Sequence, residues 1–425
     1  MSVLCLLCFH FAQLNTPLHL IVLRESSLGT TTLVSSARIE WRKVLVHGRL
    51  SLNVELKSDD ELQMPVGLMA IDLEILPLKM PPSPKELPVF VELSSLNKQF
   101  ARDHELVAGI EARFHAYAKA WWNDYTLTRP MHQTRLIQIF GQDEFRTQKC
   151  VTTFVAPIRA DRCLDSPLHA ARFVRLLPYT KDVRVGGKRT EIWHTPHTII
   201  TRRCGDLEDH VLLLCSLLLG FGLDAYVCIG TAVEKGAHMW VLTRSGTQVT
   251  MWESLTGQRW ELDQSKEHRA LVHGATATGN VPGSLAPRAP TQPSDLPFQR
   301  VHCLFNHRSF YANNQLADEV ALVDFSLENP TCWKAMNERA IEVLPRQTPI
   351  CLRAPALNAV QEERQLERKM KELVGNYRRE YANVRRDRNA RKLECLNLVC
   401  YLLTYFSCSI FFSTFSPFPA VDCLE

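Results

Sequence analysis

Three stretches near the N-terminus alternate apolar and polar residues: TTLVSSARIEW (31–41), GRLSLNVELK (48–57) and VGLMAIDLEIL (66–76). A period of two puts the apolar side chains on one face, so each stretch predicts a half-buried antiparallel strand. Three strands leave open sheet edges, which invite association, and the region 15–77 reads as the end of a β-sandwich. LKMPPSPKELP (78–88) is a proline-rich linker. The period then changes: Phe100, Val107, Ile110, Phe114, Tyr117 and Trp121 recur at helical spacing. They predict a long helix from Ser95 to Tyr125 that stops before Pro130, with the aromatic stripe as its packing face. Linker and helix together occupy 78–130.

From 131 to 345 the pattern is mixed. SPLHAARFVRLLPY (166–179) has the Ser-Pro start and the spacing of a helix. VLLLCSLLLGFGL is apolar all round, as a helix inside a larger core is, and Gly220 and Gly222 end it. DAYVCIGTA, HMWVLTRSG and QVTMWESLTG follow as three strand-like runs with short loops, which predicts an antiparallel sheet packed on that helix. The Pro-, Ala- and Gly-rich segment 274–295 reads as an insertion, and 356–392 as a charged amphipathic helix with too few apolar heptads to specify a coiled coil. The fold class is α+β.

Composition narrows the function classes. With 425 residues, 46% hydrophobic and 22% charged, the chain has material for two or three cores and is not disordered as a whole. The net charge of +4 is concentrated in NYRREYANVRRDRNARK (376–392), too little for nucleic-acid binding, and the run reads as a solvated helix face. Fourteen cysteines are scattered through apolar segments, which predicts buried thiols in a reducing compartment. Cys5 and Cys8 form a CxxC with no second pair, so no metal is expected, and no other cofactor. Only Asp59 and Asp60 lie together among the N-terminal loops, which gives no support for calcium binding. The first fourteen residues lack a basic region and a cleavage site, so no signal peptide is predicted. From Cys395 to Val421 no residue is charged. That tail (395–425) is long enough to span a bilayer and taken alone reads as a tail anchor, although six Ser, Thr and Asn residues interrupt it.

RRCGDLEDHVLLLCSLLLGFG (202–222) carries the candidate chemistry. A cysteine at a helix N-terminus is held as thiolate by unpaired amides, a histidine on a neighbouring strand pairs with it, and an acid one strand on orients the histidine. His238 heads one predicted strand and Glu253 lies on the next, but the helix start carries Leu207. Structural roles stand beside these: His238, next to Trp240, as a strand-end histidine; Glu253, next to Trp252, as a backbone-bonded acid; and Asp206, Glu208 and Asp209 as favourable acids in a first helical turn.

These segments resemble the family of the centrosomal protein of 76 kDa, which joins a C2 domain to a transglutaminase-like (papain-like) peptidase domain. The resemblance runs from Gly29 to Asn389 and is carried by YAKAWWNDY, SPLHAARFV, GDLEDHVLLLCSLLLGFGLDAYVCIGT, HMWVL, MWESLTG, FNHRSFYANNQLAD and WKAMNERAIEVL. It implies a partial C2 β-sandwich at 15–77 and a transglutaminase-like domain at 131–345. The family motif has cysteine where this chain has Leu207; His238 would be the base and Glu253 its orienting acid, so the triad positions are degenerate and no enzyme is expected. His238, Trp240, Trp252 and Glu253 would then line a groove that holds a peptide or protein partner. What the resemblance further implies is a cytoplasmic, cytoskeletal protein of the centrosome and centriole that limits centriole duplication, with centriolar partners including a distal-end capping protein. The alternatives are a cysteine-type amidohydrolase or transamidase using the displaced Cys204 or Cys215, and a tail-anchored membrane adaptor. Because the resemblance stops just before the uncharged segment, the tail reads as an atypical terminus rather than an anchor.

Overall fold

The computed structural model describes residues 17–25, 31–47, 49–58, 64–74, 93–161, 163–180, 191–233, 236–264, 296–346, 350–352 and 359–381. The CxxC, Asp59 and Asp60, the proline-rich linker, the 274–295 insertion and the 395–425 tail lie outside them.

The α+β class holds. In the C2 region β1 (Leu18–Glu25) and β2 (Thr31–Ile39) form one antiparallel ladder, β3 (Arg49–Lys57) and β4 (Pro65–Glu74) another. The first of these strands is absent from the sequence reading, because LHLIVLRE has a continuous apolar stretch rather than alternation. Strand β2 stops at Ile39 because Glu40 caps a 3-10 turn, accepting from Arg42 N at 3.3 Å and from its Nε at 2.9 Å; the one-turn helix α1 (Val44–His47) follows.

Helix α2 (Leu93–Thr128) is 36 residues long. Phe114, Ala118, Trp121 and Tyr125 are buried along one stripe, the i, i+4, i+7, i+11 face of a helix. Trp121 Nε1 donates to Ala335 O at 3.1 Å and Tyr125 Oη to Asn313 O at 2.7 Å, which stitches the stripe to the sheet described next. A small sheet, β5 (Phe140–Asp143), β6 (Gln148–Cys150) and β7 (Ile192–Trp193), and two short helices, α3 (Pro167–Leu176) and α4 (Pro196–Arg202), lead to α5 (Leu207–Gly220). Ser166 caps α3 by accepting from His169 N at 3.2 Å. Past the end of α5, Gly222 at φ 80° allows Leu223 N to reach back to Leu218 O at 3.2 Å, a left-handed helix stop that needs no Cβ.

The predicted sheet is larger than the three strands read from the sequence. β8 (Asp224–Ala232), β9 (Gly236–Ser245) and β10 (Gln248–Trp252) are joined by β11 (Arg259–Asp263), β12 (Phe298–Phe305), β13 (Phe310–Asn313) and β14 (Trp333–Ala335). The order is β11-β10-β9-β8-β12-β13-β14, with every neighbouring pair antiparallel. Both faces are covered, so the central strands read as near-continuous apolar runs. On one face Ala225, Val227, Ile229, Met239 and Val241 join Val211 to Leu218 of α5 in the first core. On the other, Tyr226, Cys228, Trp240 and Leu242 meet Phe298, Val301, Leu304 and Val323 in a second. Helix α6 (Glu338–Glu342) closes the domain and α7 (Ala359–Tyr381) falls inside the predicted charged helix. Among the described residues no helix is long and apolar enough to cross a membrane.

Candidate functional site

Helix α5 begins with a reciprocal cap. Asp206 accepts from Asp209 N at 3.0 Å, and Asp209 Oδ2 accepts from Asp206 N at 3.4 Å, so two amides that helix geometry leaves unpaired are satisfied by side chains. Gly205 fits beneath this cap because a Cβ there would lie 2.6 Å from Asp209 Cβ. The first helical residue is Leu207, half-buried and packed against the first core. The position has the field that lowers a thiol pKa, but an aliphatic side chain that cannot use it.

His238 and Glu253 do meet. His238 Nε2 donates to Glu253 Oε2 at 2.7 Å, and both side chains are buried. The contact is the one the resemblance implies for a base and its orienting acid, and it lies on the side of the second core. Successive residues of a strand face opposite sides of a sheet, so His238 shares the side of Trp240 and Leu242, while Met239 and Val241 face α5. The ring accordingly sits in the second core, 6.3 Å from both Trp240 and Phe298 between ring centres. Glu253 has the parity of Met251 and joins it there, with Oε1 buried and unbonded among the described residues. Leu207 belongs to the first core. The sheet backbone stands between the nucleophile slot and the histidine.

The groove expectation is corrected for the same reason. Trp240 is fully buried and stacks on Phe298 at 4.4 Å, and Trp252 lies in the first core, donating from Nε1 to Thr243 Oγ1 at 2.9 Å. With a core on each face, neither indole is left at an open surface. Of the two displaced thiols, Cys215 is enclosed by the first core and burial pushes its pKa far above the usual thiol range, the reverse of an activated nucleophile. Cys204 is buried at the turn before the cap. Among the described residues no cluster of His, Cys, Asp and Glu could hold a metal ion, and eight cysteines are free thiols.

On the α5 side the structure assembles a different polar network. His194 follows β7, and its Nδ1 lies 3.0 and 3.1 Å from the Asp209 carboxylate oxygens. Arg202 Nη1 lies 2.6 Å from His194 Nε2. Against the opposing effect of burial, the Asp209 carboxylate raises the His194 pKa. Burial alone would raise the Asp209 pKa, but His194 and Arg202 hold it below the usual carboxylate range. Beside it Glu144 accepts from Thr195 Oγ1 and Thr198 Oγ1, both at 3.0 Å, and burial raises its pKa. Asp209 was legible as a first-turn acid; His194 and Arg202 were not, since nothing in IWHTPHTIITR specifies that they fold back onto α5. The only signal was a histidine beside a Thr-Pro helix start.

Comparison with known proteins follows the two domains. A family model described as the CEP76 C2 domain matches residues 9–80, and one described as the CEP76 peptidase-like domain matches 191–336. The centrosomal protein of 76 kDa of Xenopus tropicalis is 38% identical over 380 residues, covering 86% of this chain and 53% of that protein. The human protein of that name is 37% identical over 386 residues, covering 87% and 54%. Among solved structures, calcium-bound LapG of Legionella pneumophila aligns with 38% of this chain and 77% of its own, at 14% identity and a TM-score of 0.25. The chain spans about half the length of the curated relatives it matches. It belongs to the family of the centrosomal protein of 76 kDa and carries that family's C2 and peptidase-like domains.

Proposed function

We propose that the chain is a non-catalytic scaffold of the centrosome and centriole, in which the peptidase-like domain retains the fold and contributes binding surface without chemistry. The observation that carries this reading is Leu207: covalent catalysis needs an attacking atom, and a leucine has none. The separation of His238 from the α5 N-terminus supports it, because a base must lie within hydrogen-bond reach of the proton it removes. The centrosomal location rests on the names of the relatives, and restraint of centriole duplication through a distal-end capping partner rests on the family resemblance.

The test uses the whole chain, wild type and Leu207→Cys, with a fluorogenic amide and a glutamine–amine pair as substrates. Neither protein is expected to turn over either substrate, because restoring sulfur leaves the histidine on the other face of the sheet. Turnover by the wild type that Cys204→Ala abolishes would replace the scaffold with a displaced-cysteine enzyme. Imaging of the tagged chain against a centriole marker checks location, and a uniform cytosolic signal would remove the centrosomal assignment.

A further inference from the structure

A cavity of about 530 Å³ opens where three units meet: the β1–β2 hairpin, α2 and the peptidase-like domain. Three cations line it, Arg38 from β2, Lys149 from β6 and Arg346 after α6, against one carboxylate, Asp143. Arg38 is committed to Asp143 at 3.1 Å, and its guanidinium lies 3.6 Å from the centre of the Phe145 ring. Lys149 is committed to Glu111. Arg346 is different. It is half-buried, its hydrogen bond is to a backbone carbonyl, Ile341 O at 3.3 Å, and among the described residues no carboxylate lies within ion-pair distance of it. Burial lowers its pKa from the ordinary arginine value, with Glu342 opposing the shift from beyond ion-pair distance and Arg308 adding to it. A partly desolvated guanidinium with no carboxylate bonded to it is costly, and an arriving anion with paired oxygens reduces that cost through charge-assisted bonds.

The rest of the wall indicates what carries the anion. Val107, Phe154 and Pro345 give it an apolar side, while Thr153 adds a hydroxyl. The volume exceeds that of a bare phosphate or carboxylate and fits one anionic side chain with its flanking residues. The site is concave, and its cations are set among apolar groups rather than spread over a surface that could follow a membrane or a nucleic-acid backbone. We propose that this cavity binds an acidic peptide segment of a partner protein, one anionic side chain of which, carboxylate or phosphate, pairs with Arg346. The proposal is independent of whether the peptidase-like domain is catalytic.

The experiment measures fluorescence polarisation of the full chain with three degenerate peptide pools, fixed at the centre as phosphothreonine, glutamate or glutamine. Inorganic phosphate and phosphatidylserine vesicles serve as further probes. One or both anionic pools are expected to bind and the glutamine pool not, and the phosphothreonine–glutamate comparison identifies the group. Arg346→Gln is expected to weaken binding about tenfold or more, the scale of losing one charge-assisted contact. Val107→Trp, which fills the cavity from α2 and leaves Arg346 in place, is expected to give the same loss; it serves as the second variant should Arg346→Gln fail to fold. Lys371→Gln, on the exposed face of α7, is expected to change nothing. Equal binding of all three pools, binding unchanged by both cavity variants, or binding confined to inorganic phosphate or to vesicles would overturn the proposal.

Discussion

Asp209 accepts from three groups at once: Asp206 N at 3.4 Å, His194 N at 3.2 Å and His194 Nδ1 at 3.0 Å. One buried carboxylate therefore closes the helix cap and holds a buried histidine in place. Asp209→Ala leaves Arg202 and His194 facing each other without the charge between them. The expected loss is about 3–5 kcal/mol, the scale of removing one partner of a buried pair, read as a drop in urea midpoint at unchanged slope; a loss below about 1 kcal/mol would show that the network is not structural. His302 supplies a pH signature. Its Nδ1 accepts from Leu136 N at 3.2 Å, and burial, opposed by Asp318 but reinforced by Arg135 and Arg300, brings its pKa from 6.5 to about 4. The folded chain keeps the ring neutral while the unfolded chain protonates it, so this contribution is complete above about pH 6.5 and is lost as pH falls towards 4. Thermal midpoints are expected to decline across that window, and less steeply in His302→Gln. Identical slopes would remove His302 as a source.

At the scale of elements, long periodic segments were legible and tertiary pairings were not. The apolar stripe of α2 and the all-apolar run of α5 could be read because helix burial depends on local spacing. Strand β1 was missed because four consecutive apolar residues carry no period, and β12 to β14 because the strand reading stopped at the insertion before them. The spacing of His238 and Glu253 foretold that one would lie on a strand and the other beside it, and Glu253 falls just past the end of β10. Which face they occupy depends on which face α5 covers, and no local pattern states that. The family resemblance placed Leu207 at a helix start, where the structure has it, and paired His238 with Glu253, which are in contact on the side of the second core. The stripe of α2 also sets a prediction at this scale. Trp121→Ala empties an aromatic site in the first core and deletes the bond to Ala335 O, so a loss of about 3–5 kcal/mol is expected in chemical denaturation. A loss near zero would mean that the helix rests on the sheet without being held by it.

At the scale of the whole molecule, the C2 hairpin is held at two places. Arg38 of β2 reaches Asp143 at the end of β5, and Arg42, just past β2, donates to Asp103 Oδ2 at 2.8 Å while lying over Phe100 at 4.5 Å. Both Phe100 and Asp103 are in the first third of α2, whereas Trp121 and Tyr125, near its other end, are bonded to the strands at the far edge of the large sheet. At 1.5 Å per residue the helix is about 54 Å long. It is thus a girder pinned to one domain near its start and to the other near its finish. Between those ends Glu111 is paired with Lys149 and Phe114 is packed in the first core, so the hairpin and the edge of the large sheet share one continuous rigid support.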